Sequence, residues 1–244
     1  MQEEIYRRMY EVEDRHWWFS AKRRILRALL ERHLPQGARA KARVADVGCG
    51  CGCTLLLLSG FCEAVGLDAS EAAIDFCTKR GVDARLARLP DEVPLEAGTF
   101  DAVILSDVLE HIDDDSKAAA AAARLLRPGG IMIVTVPAYQ ALWSSWDQMH
   151  AHKRRYTKKT LGAALSSTGL DTIFISYYNT LLFPLALAER VARKALRSDT
   201  KAELAVPAAP VNWALERVFA AERHLLGRVP LPAGLSLAAV LRKR

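Results

Sequence analysis

The segment Asp46-Val-Gly48-Cys-Gly50-Cys-Gly52 limits what this chain can fold into more than any other stretch of it. It follows the short apolar run that begins at Val44 and precedes Thr54-Leu-Leu-Leu-Leu58, so it sits where a buried strand opens into a helix. Glycines at alternate positions there let the backbone turn sharply and pass close against a ligand, because no Cβ stands between them. The pattern is not the dinucleotide one. A pyrophosphate turn wants glycine at the position of Cys53, completing G-x-G-x-x-G with Gly48 and Gly50, so that the phosphate rests on the helix start. The spacing here is instead acid-x-Gly-x-Gly-x-Gly, and an acid at Asp46 suits a cationic ammonium group rather than a phosphate.

From this loop onward, strand-type and helix-type stretches alternate. Strands are predicted over 64–67, 82–86, 100–105 and 131–136. Helices are predicted over 70–79, with Ser70 as N-cap and Gly81 as stop, and over the Ala-rich stretch 116–126. The run 100–105 is apolar without interruption, as a parallel strand covered on both faces should be, and 127–130 reads as a turn. Before the loop, 3–33 reads as helix with a break over 14–19 and a stop at 35–37. After residue 137 the rhythm changes to a polar, aromatic loop over 138–156, a helix over 158–167 and a strand over 171–178. Amphipathic segments over 181–196 and 211–226 precede a final strand over 235–241. Alternation of this kind implies an α/β fold, a parallel sheet wound on both faces.

At 244 residues the chain suits one substantial core with attachments rather than two full domains. The net charge of +6 is local, and its Arg-rich stretches are compatible with phosphate, nucleic acid or anionic lipid. Five cysteines, Cys49, Cys51, Cys53, Cys62 and Cys77, crowd into apolar or Gly-rich surroundings and suit a reducing compartment. Single spacers between Cys49, Cys51 and Cys53 do not match a zinc knuckle, so no metal is expected. No stretch approaches the ~20 apolar residues of a membrane span, and the amino end lacks the pattern of an export signal, which makes a cytoplasmic protein the expectation.

Taken in order, the Gly loop, Asp68 at the end of the second strand, Phe100-Asp-Ala-Val, Val108-Leu-Glu-His111 and Leu126-Arg-Pro-Gly-Gly130 resemble the class I S-adenosylmethionine-dependent methyltransferases over 43–136. The resemblance implies a Rossmann-like, mostly parallel seven-stranded sheet with an amino-terminal helical lid over 1–36. The core would comprise 37–178 and 229–244, with a helical insertion over 179–228 before the last strand. It implies S-adenosylmethionine as cofactor and S-adenosylhomocysteine as product. Asp46, Gly48, Cys49, Gly50 and Gly52 would hold the methionine end, and Asp68 and Ala69 the ribose. Ser106 and Asp107 would close over the methionine part of the cofactor, and His111 is also an expected cofactor residue. One position departs from the family: Arg85 stands where an acid usually holds the adenine amino group, which leaves backbone groups near Leu86 and Ala87 to do so. His111 reads either as a histidine packed beneath the cofactor or as a catalytic group.

The loop Trp143-Ser-Ser-Trp146-Asp147-Gln-Met-His150-Ala-His152-Lys-Arg154-Arg155-Tyr156 resembles the W-x3-D-x4-H-x-R-R-Y segment of a methyltransferase subgroup found beside glycan and lipid enzymes. In that reading His152 is the general base, Asp147 orients it, and Tyr156 completes the catalytic set. The same residues read equally well as a structural network holding the loop. The box His16-Trp17-Trp18-Phe19, followed by Lys22 and Arg23, belongs to the same subgroup. Two adjacent indoles cannot both face one core, so at least one should line a pocket. Trp17, Trp18, Arg23, Trp143, Arg154 and Arg155 are the expected acceptor contacts. The apolar and then basic helix over 181–197 suits substrate, an anionic membrane or a second subunit. The expected acceptor is a small molecule or a lipid- or glycan-linked one, methylated at oxygen. Nucleic-acid or protein methylation is the rival, opposed by Ser106-Asp-Val-Leu where an N/D-P-P-Y/F box would stand and by the lack of a stacking platform. A non-enzymatic scaffold is the second rival, opposed by the intact cofactor loop.

Overall fold

Apolar runs become strands here because both of their faces are covered. β1 (Arg43–Val47), β2 (Glu63–Asp68), β3 (Ala84–Leu86), β4 (Phe100–Ser106) and β5 (Leu126–Pro137) pair in parallel, and β7 (Ser236–Arg242) runs antiparallel between β5 and β6 (Asp171–Tyr178). The order is β3-β2-β1-β4-β5-β7-β6 in one seven-stranded sheet, which makes the fold α/β and doubly wound. The chain leaves β1 in one direction and β4 in the other, so a crevice opens beyond their carboxyl ends. The computed structural model describes residues 3–34, 41–195 and 205–244, without the side chains of 190–195. The expected stop at 35–37 and the basic side chains of 190–197 lie outside the described residues.

Nine helices flank the sheet among the described residues: α1 (Glu3–Val12), α2 (Trp17–His33), α3 (Cys53–Ser59), α4 (Glu71–Arg80), α5 (Asp115–Arg124), α6 (Ser145–Met149), α7 (Lys158–Leu165), α8 (Phe183–Ala195) and α9 (Ala209–Ala221). On one face Val103, Leu105, Met132 and Val134 meet α5 and α7, where Ala118, Ala119, Ala122 and Ala123 bring α5 close. On the other, Ile104, Ile133 and Val240 meet Ile25, Leu26, Leu29 and Leu30 of α2 and Phe219 of α9. The α2 positions recur at helical spacing, so one stripe of that helix is wholly buried. Truncating Leu29 or Leu30 to Ala would cost about 2–5 kcal/mol.

Several boundaries differ from expectation for local reasons. The break between the first helices ends at His16, whose Nδ1 accepts the Trp18 amide at 3.2 Å, so Trp17 to Phe19 form the first turn of α2. Ser70 precedes α4 but makes no side-chain cap; its amide donates to Asp68 at 3.0 Å. Gly81 closes α4 in the left-handed conformation at φ 70°. β3 begins at Ala84, two residues late. The expected turn at 127–130 lies inside β5, where Phe100 pairs with Leu126 and Ala102 with Ile131, so the extra residues bulge. Gly129 and Gly130 are tied there to Lys243, through its carbonyl and its amide respectively, at 2.9 Å each. The loop after β5 contains α6. The amino-terminal helices and the insertion before β7 form one layer, since the Trp17 amide donates to Asn212 at 2.9 Å and Arg32 donates to the Leu226 carbonyl.

Candidate active site

The crevice contains a cavity of about 1050 Å³, walled by strand tips, by α1 and α2, and by the loop after β5. On the strand side, Asp46, next to last in β1, is buried, and its Oδ1 has no hydrogen-bond partner. Burial pushes its carboxyl up to about 7, with Lys22 pulling it down and Asp68 adding to the rise. Gly48 turns at φ 80°, and a Cβ there would meet Cγ2 of Val108 at 2.3 Å. Asp68 is fixed before any ligand arrives. Its Oδ2 accepts the Gly50 amide at 2.9 Å, and its Oδ1 accepts the Ser70 amide at 3.0 Å and the Tyr6 hydroxyl at 3.2 Å. Tyr6 belongs to α1, so the amino-terminal helix touches the acid expected to clasp the ribose. Asp107, at the end of β4, sits at φ 57°, a conformation uncommon outside glycine. It is held by Thr135 at 3.1 Å and by the buried Lys22 ammonium.

Ala69, Cys49, Ser106 and His111 also reach the wall, but two expected cofactor residues do not. Gly52 faces α4, where a Cβ would meet Cys77 Sγ at 2.9 Å, so its absent side chain serves helix packing. Leu86 points outward at 45% exposure. Ala87 and Leu89 line the cavity instead. The Ala87 amide donates to the Asp68 carbonyl at 2.9 Å and the Arg88 amide to the Glu92 carbonyl at 3.0 Å, so these two main-chain donors are already engaged. Arg85 turns away towards Asp83. The three loop thiols diverge: Cys49 lies 3.9 Å from Cys77, Cys51 donates to the Tyr6 carbonyl, and Cys53 to Asp14.

Across the cavity, a single helical turn, Leu109–His111, is pinned to the loop after β5 by the Lys153 amide, which donates to the Glu110 carbonyl at 2.7 Å. Asp147 is wholly buried at the hub of that loop. It accepts His152 Nδ1 at 2.9 Å, Arg155 Nε at 2.7 Å and the Ser144 amide at 2.8 Å. Burial raises its pKa, but the hydrogen bonds from His152 and Arg155 outweigh that and hold the carboxyl far below the usual range. A proton on Nδ1 of His152, assigned from this hydrogen bond, leaves the Nε2 lone pair free for chemistry. His111 packs edge-on against His152, ring centroids 4.8 Å apart, and burial together with His152 lowers it to about 4.

Three acceptor-side expectations move. Tyr156 is buried away from the cavity and donates to Asp115 at 2.8 Å, while Arg154 pairs with Asp115 at 3.0 Å. Trp143 is off the wall, and Trp146 takes its place. Arg155 reaches the wall, but its guanidinium is committed to Asp147; Arg23 likewise donates to the Glu13 carbonyl at 2.7 Å. Trp17 and Trp18 both line the cavity, and both pack against the α2 core from its edge, so the two indoles share roles expected to be divided. The sequence reading passed over Lys22, Tyr6, Glu110, Trp146 and His150. Two signals were present: Lys22 is a charge on the apolar stripe of α2, and His150, which follows α6 directly, stands four residues after Trp146, their ring centroids 4.2 Å apart.

Residues 16–175 match the methyltransferase domain family. The chain belongs to that family. The ubiquinone biosynthesis O-methyltransferase of Thiobacillus denitrificans is 30% identical over 131 residues, which make up 51% of this chain and 51% of that protein. A probable S-adenosylmethionine-dependent methyltransferase of Mycolicibacterium smegmatis is 31% identical over 127 residues, 51% of this chain and 47% of its own. The chain spans about half the length of the curated relatives it matches. The fold is shared with geranyl diphosphate C-methyltransferase from Streptomyces coelicolor A3(2), solved with Mg2+, geranyl diphosphate and S-adenosylhomocysteine. The TM-score is 0.59 at 18% identity, covering 90% of this chain and 80% of that one. S-adenosylmethionine is the cofactor of this fold family, and the residues present fit it. The unpartnered Asp46 oxygen awaits a cation, Asp68 is poised beside Gly50, and the Gly48 cradle has no room for a Cβ.

Proposed function

We propose that this methyltransferase domain uses S-adenosylmethionine to methylate an oxygen of a small-molecule, glycan or lipid-linked acceptor, with His152 as the general base. When bound, the cofactor supplies a methyl carbon made electrophilic by sulfonium charge. Asp46 and Asp68 would hold its ammonium and ribose, Ala87 and Leu89 would flank the adenine, and Asp107 and Ser106 would border the methionine end. Lys22 neutralises Asp107 beside them. The chain's remaining task is to place the acceptor and take its proton. The observation that carries the reading is His152 at the cavity wall, its Nδ1 bonded to the buried Asp147 carboxylate that Arg155 also holds, which leaves Nε2 as the imidazole nitrogen for an acceptor.

Hydrophobic acceptors are favoured by the indoles of Trp17, Trp18 and Trp146 on the cavity wall. Leu181, just before α8, and Leu185, in its first turn, are 53% and 62% exposed, and Trp213 of α9 is 60% exposed, which supports peripheral contact of these two segments with a membrane face. No helix among the described residues is long and apolar enough to cross a membrane. Calorimetry with S-adenosylmethionine and NAD tests the cofactor: the first should bind and the second should not. Labelled methyl transferred into a lysate split into lipid, glycan, protein and nucleic-acid fractions tests the acceptor class, and label confined to nucleic acid or protein would refute the proposal. His152→Ala should lower turnover on the order of 10²-fold with cofactor affinity unchanged. A near-normal rate would return the residue to a structural role.

A further inference from the structure

Asp46, Glu110 and Asn179 each bring to the cavity wall a buried side-chain oxygen without a hydrogen-bond partner. Asp46 has the cofactor's ammonium group as its expected partner. Glu110 feels the opposite charges of Lys22 and Arg155. Asn179 has no such explanation. It follows β6 directly, is 2% exposed, and leaves its Oδ1 unsatisfied. A buried amide oxygen in that state costs free energy that a ligand group or an ordered water must return.

The position of Asn179 is fixed by its neighbours. The buried Glu222 carboxylate accepts the amides of Asn179, Thr180 and Leu181 at 2.7, 2.7 and 2.8 Å. The Leu235 amide donates to the Asn179 carbonyl, and the Thr180 hydroxyl donates to the Ala233 carbonyl. Both backbone groups of Asn179 are therefore engaged, while its side chain lines the cavity. A φ of 58° suits asparagine or glycine, which explains the turn but not a carboxamide left without a partner on a cavity wall. The surroundings are apolar. Phe219 stacks on Tyr178, the residue before Asn179, at 6.0 Å between ring centroids, and meets Trp17 edge-on at 6.1 Å.

From this geometry we infer that Asn179 is a specificity-determining residue, whose Oδ1 accepts a hydrogen bond from an O–H or N–H that the methyl acceptor carries in addition to the methylated oxygen. The inference rests on the acceptor reading of this cavity and narrows it: the favoured molecule has an apolar or aromatic body and a second, donating polar group. A molecule that cannot donate is rejected, because its binding leaves the amide oxygen dry and unpaired. Apolar surroundings sharpen that rejection.

The test is binding of two probes to the full chain loaded with S-adenosylhomocysteine, followed by ligand-observed NMR. Naphthalene-2-carboxamide donates through its N–H, whereas methyl 2-naphthoate has a similar shape and donates nothing. Wild type should prefer the amide at least 10-fold. Asn179→Gly keeps the left-handed turn and removes the carboxamide, so the preference should vanish. Asn179→Asp keeps the shape and an accepting oxygen, so the preference should persist. Circular dichroism and S-adenosylhomocysteine calorimetry on the same samples show that the variants are folded and bind cofactor. In the labelled-methyl assay, dilution of the accepting lysate fraction should show half-saturation displaced at least 10-fold by Asn179→Gly at an unchanged limiting rate; a residue that only shapes the turn would move neither. Equal binding of the two probes by wild type, or a preference that survives Asn179→Gly, would overturn the assignment. Methyl transfer without the probe preference would remove Asn179 and leave the methyltransferase reading intact, and the preference in a chain that transfers no methyl would do the reverse.

Discussion

The two sides of the cavity are built on different principles. The cofactor side is mostly backbone: Gly48 and Gly50 hold the chain where a side chain would collide or strain it, and Asp68 is positioned by the amides of Gly50 and Ser70. The acceptor side is a side-chain network in which one buried carboxylate, Asp147, orients His152 and Arg155 at once. A backbone-built site is defined by a short segment and tolerates variation around it. A network site is defined by residues that are useless singly and strongly coupled together.

That contrast predicts that the acceptor side breaks hardest. Asp147→Asn should cost about 3–5 kcal/mol in urea unfolding, because it leaves the buried Arg155 guanidinium without its counter-charge. A loss below 1 kcal/mol would mean that the network is not the hub described. On the cofactor side, Gly48→Ala should lower S-adenosylmethionine affinity roughly 10- to 100-fold, from the strain of φ 80° and the approach to Val108. Calorimetry reads this, and unchanged affinity would show that the loop yields more than its geometry implies.

A gentler probe uses pH. Asp46, facing Lys22 and Asp68, titrates near 7 in the folded chain, above its unfolded value. Its contribution to the stability of the ligand-free chain is therefore full below the unfolded pKa of ~4 and is lost as pH rises through 7. Cofactor binding has the opposite sign, because the ammonium needs the charged form: affinity should fall about tenfold per pH unit below 7. A flat profile from pH 5 to 8 would remove Asp46 from the ammonium site. The smallest effect is expected at Arg154, whose ion pair with Asp115 is off the cavity wall. Arg154→Ala should change stability by at most about 0.5 kcal/mol and leave turnover alone; a large rate loss would restore it to the acceptor site.

The cofactor side was legible because its signal is contiguous. Seven residues between a strand and a helix carry it, and Asp68 follows at the end of the next strand. The same logic failed at Gly52 and Leu86, since which way a residue faces depends on α4 and on the short, late β3. On the acceptor side the chemical types were visible, but their assignment was not. Tyr156, Arg154 and Trp143 share the motif with His152 yet turn elsewhere, because α6 forms within the supposed loop and rotates Trp146 and His150 into the cavity in their place.

What the sequence determined by itself was the alternation of strand and helix and the glycine loop at the first strand-to-helix junction, both of which follow from local periodicity and backbone sterics. Tertiary structure alone decided that Lys22 meets Asp107 across 85 residues, that Tyr6 reaches Asp68, and that Glu110 is left without a partner between two imidazoles. Pairings of that kind depend on how layers pack, and the free energy of a buried charge is set by neighbours that the chain order does not reveal.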